Sequence, residues 1–320
     1  MTSPTVPRAA AFLEFDEPID VLLSEIETLS LMPSTAERQR TLDGLRSQVT
    51  ELRQEIYSRL TPWQRVLVAR HPRRPRTRDY LSRLFSDFTE LHGDRRFGDD
   101  PGVVAGFARF GEDAVLVVGH QRPGPTFAGG ARPEGYRKAL RCMKLAAKFN
   151  RPIITFVDSA GTSPDVGSEE RGMADAIAYS LREMTVLAVP VIVVVTGEST
   201  GGGALALGMG DHILMLEYAV YGVVPVESGA QMLWGDAAHT PEASDALKIT
   251  ASDLVRLGVI DEVVPEPLGG AHADPLAATK RLAEPLRSTL DHLASTSSHT
   301  RVARRHAKIR RLGLAGIDGV

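Results

Sequence analysis

Residues 190–208 read PVIVVVTGESTGGGALALG. A β-branched run after Pro190 halts at Gly197, a cluster of small residues follows, and an alanine- and leucine-rich segment begins. Consecutive valines and isoleucines bounded by Pro and Gly predict a strand buried on both faces. The residues after Gly201 predict a helix over 202–209. Glycine at such a junction permits backbone angles closed to other residues and lets a second group approach the main chain. The N–H groups that open a helix lack partners within it, so the turn can offer a preformed pocket for developing negative charge. Spelling removes two uses of such a turn. A phosphate loop needs Gly-Lys-Ser/Thr, and no lysine lies here; the dinucleotide fingerprint begun at Gly201 needs glycine where Ala206 stands. Three readings stay open on this stretch. They are a serine nucleophile elbow at Gly197-Glu198-Ser199-Thr200-Gly201, close strand–helix packing, and an oxyanion hole of backbone amides.

Outward from this junction, 153–175 (IITFVDSAGTSPDVGSEERGMAD) repeats the order of apolar strand, small-residue turn and helix. Further strands are expected at 103–109, 114–119, 213–216 and 220–224, and helices at 134–149, 169–188 and 250–257. Such alternation implies a layered α/β domain, with two strand–turn–helix units forming one wall of a site. Toward the N-terminus the pattern changes. Leu42, Leu45, Val49, Leu52, Ile56 and Leu60 follow helix spacing, as do Ile19, Leu22, Leu23, Ile26 and Leu29, so each set is one apolar stripe. Met32-Pro33-Ser34-Thr35 separates them into a hairpin that needs a body or a partner to bury both stripes. The run Arg70-His71-Pro72-Arg73-Arg74-Pro75-Arg76 is expected as a rigid, solvated basic linker, contact with an acidic or phosphate group being the other reading. Beyond 275 come an amphipathic helix to about 294 and a tail with six Lys/Arg between 301 and 311. That tail is expected as a solvated or acid-facing helix rather than a nucleic-acid patch.

The 320 residues are 43% hydrophobic and 24% charged, with net charge −3. This balance argues against general nucleic-acid or membrane-surface affinity. No run of ~20 apolar residues is present, and MTSPTVPRAAAFLEF lacks the apolar stretch of a secretion signal, so a cytoplasmic protein is expected. Cys142 is alone, which excludes an internal disulfide framework and a four-cysteine zinc site within this chain. Arg141-Cys142-Met143-Lys144-Leu145 has the look of a biotinyl centre. Leu140, Met143 and Ala147 at helix spacing instead place Lys144 within a helix, whereas a biotinyl lysine needs an exposed hairpin tip.

Several long stretches carry a family resemblance: FTELHGDRRFGDD (88–100), PEGYRKALRCMKLAAKF (133–149), GSEERGMADAIAYSLREM (167–184), VVTGE (194–198), GGALALGMGD (202–211) and VIDEVVPEPLGGAH (259–272). With FLEFDEPI (12–19) and ARHPRRPRTRDY (69–80), they resemble the α subunit of the acetyl-CoA carboxylase carboxyltransferase over nearly the whole chain. The resemblance implies a crotonase-like fold of ββα units, and hence three parts: a helical hairpin and basic linker (1–79), the crotonase-like domain (80–275), and a C-terminal helix with a basic tail (276–320). It also implies an α2β2 assembly with a zinc-ribbon β subunit, the active site lying at the α/β boundary, and no metal in this chain. The family moves a carboxyl group from carboxybiotin, held on a biotin carboxyl carrier protein, to acetyl-CoA and so makes malonyl-CoA. No ATP-binding signature is visible here, so biotin would be carboxylated elsewhere.

That chemistry fits the glycine junction. Carboxyl transfer needs an enolate beside a thioester and leaves negative charge on the biotin ureido oxygen. Oriented backbone N–H groups shielded from water meet such charge without a side-chain nucleophile, at ~3–4 kcal/mol per donor. By resemblance, Gly202 and Gly203 supply these amides for the biotin-side carbonyl, and the Ala160–Gly161 turn lines the same cavity. Gly201, Ala204 and the PEGYRK residues Glu134, Gly135, Tyr136 and Arg137 are expected as substrate or biotin contacts, with Ser199 a bystander.

The sequence leaves the family pattern near the chemistry. The basic loop after Gly119-His120-Gln121 is shorter here, RPGPTFAGGARP (122–133), with only Arg122 and Arg132 as cations. Asp-Thr-Pro-Gly-Ala-Tyr becomes Asp158-Ser159-Ala160-Gly161-Thr162-Ser163, and Gly-Glu-Gly-Gly-Ser-Gly-Gly becomes Gly197-Glu198-Ser199-Thr200-Gly201-Gly202-Gly203. Ser-Pro-Glu-Gly-Cys reads Pro225-Val226-Glu227-Ser228-Gly229. Besides the carboxyltransferase reading, the sequence therefore leaves open a thioester decarboxylase on the same scaffold, a non-catalytic partner subunit and a serine hydrolase using Ser199.

Overall fold

The computed structural model describes residues 13–122 and 130–313. Residues 123–129 of the 122–133 loop discussed above therefore lie outside the described residues, as do residues 1–12 and 314–320. Helices α1 (Glu17–Ser30) and α2 (Ala36–Ser58) form the N-terminal hairpin, with Thr35 capping α2 through Arg38 N–H. Its two stripes meet and pack on the body. Ile19, Val49 and Tyr57 share a buried cluster with Val68 and Tyr218, and the Tyr57 and Tyr218 rings meet edge-to-face at 5.6 Å.

The basic run is not the solvated linker expected. It joins α3 (Pro62–Arg70) to α4 (Thr77–Leu84), and Arg74 within it is only 5% exposed. The reason is a set of acceptors far away in sequence. The Arg74 guanidinium donates to both Glu266 carboxylate oxygens at 2.8 and 2.5 Å and to the Thr196 carbonyl at 2.7 Å.

Next come β1 (Ser86–Glu90), β2 (Val103–Phe110), β3 (Asp113–His120), α5 (Pro133–Lys148) and β4 (Ile153–Val157). The helix expected over 169–188 is two, α6 (Val166–Glu170) and α7 (Met173–Val186), because Gly172 between them takes the left-handed φ of 79°. The opening stretch folds as β5 (Val191–Val195), β6 (Glu198–Thr200) and α8 (Gly201–Leu205). The chain continues through β7 (His212–Leu216), β8 (Val220–Gly222), α9 (Val226–Trp234), α10 (Thr240–Ala246), α11 (Ala251–Arg256), β9 (Glu262–Val264), α12 (Pro275–Ser295) and α13 (Ser298–Arg311).

Seven strands form one sheet in the order β1-β2-β3-β4-β5-β7-β9; β1 to β3 run antiparallel, and the rest are parallel. Every residue of β4 and β5 is buried, as expected of parallel strands covered on both faces. β6 and β8 pair separately as a small second sheet. In α5 the buried side chains include Tyr136, Ala139, Leu140, Cys142 and Met143, and Lys144 on the outer face pairs with Glu183 at 2.7 Å. α12 buries Leu282, Leu286 and Leu290 in the main core.

The C-terminal basic helix is acid-facing and partly buried. Arg305, 1% exposed, pairs with Asp211 at 2.7 Å and donates to the carbonyls of Met184, Leu187 and Val189. Among the described residues no helix is long and apolar enough to cross a membrane.

Candidate active site

Two turns leave the carboxyl ends of the neighbouring strands β4 and β5, the place where open α/β sheets hold ligands. They are tied to each other. Thr196 N–H donates to the Val157 carbonyl at 3.0 Å, and Thr200 N–H donates to the Ser159 carbonyl at 2.8 Å. Gly197 is required by this closeness, because a Cβ there would stand 2.3 Å from Asp158 Oδ1.

The glycine triplet opens α8, which is five residues long rather than the eight expected. Gly201 has a left-handed φ of 69°, an angle that glycine adopts without strain. As the first residues of a helix, Gly201, Gly202 and Gly203 have N–H groups with no acceptor inside it. No side chain caps this end, and no acceptor outside the helix meets them among the described residues. Such a short helix sums little dipole, so any anion here is met by individual N–H groups.

The other turn lines a cavity of ≈ 330 Å³ whose walls include His120, Arg122, Asp158, Ser159, Ala160 and Gly161. Gly161 has φ 142°, and its carbonyl accepts from Ser159 Oγ at 2.6 Å. Arg122, one of the two cations kept in the shortened loop, pairs with Asp158 at 2.5 Å.

The glycine triplet does not share this cavity in the way expected. Gly201 and Gly202 instead line a second cleft of ≈ 360 Å³ with Leu205, Tyr221, Val223 and Leu247. Gly203 is the partition. A Cβ there would lie 2.5 Å from the Tyr136 hydroxyl and 3.2 Å from the Gly161 carbonyl, so this position is closed by packing. A Cβ on Gly202 would meet Ile177 at an ordinary 3.4 Å. Ala204 is fully buried beside them.

Neither cavity is lined by the PEGYRK residues. Glu134 pairs with Arg171 at 3.2 Å, and Arg137 pairs with Asp94 at 2.8 Å. Gly135 lets Asp100 approach, its absent Cβ position lying 2.4 Å from Asp100 Oδ2. Tyr136 alone reaches the partition, with its hydroxyl buried beside Gly203.

One feature escaped sequence reasoning, and two others realise the second reading of the basic run, contact with acidic groups. His120 ends β3 inside the first cavity, 3% exposed, and neither ring nitrogen has a hydrogen-bond partner in good geometry. Burial pushes its imidazole down to about 3, although the Gly203 main chain works the other way. Arg70 grips two carboxylates at once, Glu198 at 2.7 and 2.9 Å and Glu227 at 2.5 and 2.9 Å, holding Glu227 below the usual carboxylate range. Arg74 braces Thr196 from below. A polar residue closing the apolar run AVLVVGH was the one available signal for His120. Ser199, by contrast, is fully buried and donates to the Val157 carbonyl at 3.1 Å, which removes the hydrolase reading.

The family described as acetyl co-enzyme A carboxylase carboxyltransferase-like matches residues 12–313. The chain is 47% identical over 307 residues to the acetyl-coenzyme A carboxylase carboxyl transferase subunit alpha of Geobacter metallireducens, covering 94% of this chain and 96% of that protein. This chain belongs to that family. The same subunit of Caulobacter vibrioides is 42% identical over 319 residues, covering 97% of this chain and all of that one. Two solved structures share the fold. Transcarboxylase 12S superimposes with TM-score 0.57 at 23% identity over 70% of this chain and 42% of its own. A Pseudomonas malonate decarboxylase hetero-tetramer gives 0.56 at 14% identity, over 68% and 92%. The crotonase-like fold expected from the resemblance is the fold observed.

Proposed function

We propose that this chain is the α subunit of a biotin-dependent carboxyltransferase, moving a carboxyl group from carboxybiotin on a carrier protein to acetyl-CoA, with a zinc-ribbon β subunit completing the site in an α2β2 assembly. The observation that carries this reading is the turn after β5, whose glycine amides meet no acceptor among the described residues, set beside the turn after β4 that lines a cavity. Carboxybiotin supplies the carboxyl group; this chain supplies a shaped cavity and oriented N–H groups. The polar ≈ 330 Å³ cavity falls in the size range of small-molecule sites and is fit for a compact polar ring. Under this reading the Gly202 and Gly203 amides stabilise an oxygen that gains charge on the cleft side of the Gly203 partition, where Gly201 lies and Ala204 packs behind, while Ala160 and Gly161 shape the cavity on its other side. Glu134, Gly135, Tyr136 and Arg137 hold that wall through Arg171, Asp100 and Asp94 rather than touching substrate.

The test is reconstitution. The chain alone is expected to form no malonyl-CoA, and activity is expected when the β subunit and carboxybiotin on its carrier are added. Acetyl- and propionyl-thioesters offered in parallel read the acyl preference. Turnover without any biotin compound would replace this reading with a decarboxylase.

A further inference from the structure

We propose that His120 is a ligand-contacting residue, its imidazole N–H donating a hydrogen bond to the carbonyl oxygen of the cyclic urea seated in the Ala160–Gly161 cavity. The proposal rests on the carboxybiotin reading above and adds to it a side-chain donor.

The first argument is the state of the ring. His120 is 3% exposed, it lines the cavity, and neither nitrogen meets a protein partner in good hydrogen-bond geometry, although the Gly203 main chain lies close enough to pull its pKa upward. A buried polar group left unpaired is costly, and native structures keep few of them. Its main chain is already used, the carbonyl accepting from Thr77 Oγ1 at 2.5 Å, and the ring packs edge-to-face on Tyr136 at 6.0 Å. The side chain is thus fixed in place without a well-formed hydrogen bond at either nitrogen.

Charge then selects the ligand. Arg122 and Asp158 neutralise each other across the same cavity, and burial keeps the imidazole uncharged near neutrality. With no unpaired cation among the described residues of its lining, the cavity suits the uncharged urea ring of the ligand better than a phosphate. A neutral imidazole offers one donor and one acceptor, and a urea carbonyl is a strong acceptor. The donor also gains strength as charge gathers on that oxygen.

The assembled α–β complex supplies the test, with 2-imidazolidone as a tail-free cyclic urea. Crystals soaked in it are expected to show the ring in this cavity, its oxygen ~3 Å from a His120 nitrogen. Water alone at His120, or the urea bound only elsewhere, overturns the proposal whether or not any variant folds. In calorimetry His120→Leu is expected to lose about tenfold in affinity for this urea, and His120→Gln to keep most of it. Carboxyl exchange from malonyl-CoA to biocytin should fall ~10²-fold in kcat for His120→Leu, with the KM for malonyl-CoA unchanged. Equal rates in wild type and His120→Leu, or a loss spread equally onto the malonyl-CoA KM, count against it. A wild-type complex that binds the urea at His120 yet exchanges nothing with biocytin instead removes the carboxybiotin reading.

Discussion

Adjacent glycines in the triplet answer to different constraints. A Cβ on Gly203 meets the Tyr136 hydroxyl at 2.5 Å and Thr162 at 3.0 Å, whereas one on Gly202 finds only Ile177 at 3.4 Å. Gly203→Ala is therefore expected to lower stability by about 1–3 kcal/mol through overpacking. Gly202→Ala should leave the fold near wild type, since alanine is the better helix former, while placing a methyl group in the cleft that Gly202 lines. Thermal melting beside a carboxyl-exchange assay separates the two. A Gly203→Ala protein that melts with wild type would show that Tyr136 is not packed as described. The need for glycine here was legible from the spelling GESTGGG. Which glycine faces a cavity and which seals a partition was not, because the partner, Tyr136, lies on another helix.

At the scale of elements, Arg70 joins parts that the chain keeps far apart. It is the last residue of α3, and it binds Glu198 of β6 and Glu227 of α9 together. Arg70→Ala is expected to raise amide hydrogen exchange about tenfold across 198–203 and 226–234, and Arg70→Lys should not restore protection because one ammonium cannot span both carboxylates in forked geometry. Protection unchanged in Arg70→Ala would mean that packing alone holds the turn.

The parallel strands were legible because burial on both faces writes an unbroken apolar run, as in Val191–Val195. β1, with the sequence SDFTE, is a polar edge strand and left no such mark. β9 is only three residues long. For the basic run, contact with acidic groups was only the second reading for a related reason. Its carboxylates lie 128 to 192 residues downstream, beyond any local spacing rule.

For the whole molecule, buried imidazoles and paired carboxylates set the response to acid. Burial lowers His120 from 6.5 to about 3, and burial with the neighbouring His71 lowers His272 to about 2. An unfolded histidine takes a proton below 6.5 that these folded ones refuse, so their contribution is complete above that pH and shrinks as pH falls. Asp94 follows at lower pH. Burial raises it, but the N–H groups of Arg96 and Phe97 and the Arg137 side chain outweigh burial and bring it from 3.8 to about 2. The Tm is expected to be level from pH 8 to 7, to decline from about 6.5, and to drop further below 4. A flat profile from pH 7 to 4 would contradict the neutral, buried state of the two histidines.

The far rim of the sheet adds a consequence for biosynthesis. The carbonyls of Met184, Leu187 and Val189 and the carboxylate of Asp211 all rest on one guanidinium, that of Arg305. Ribosomes make residue 305 more than a hundred positions after those carbonyls. The nascent sheet therefore waits with an unsealed polar edge, and a message cut short before that codon leaves those acceptors without their guanidinium.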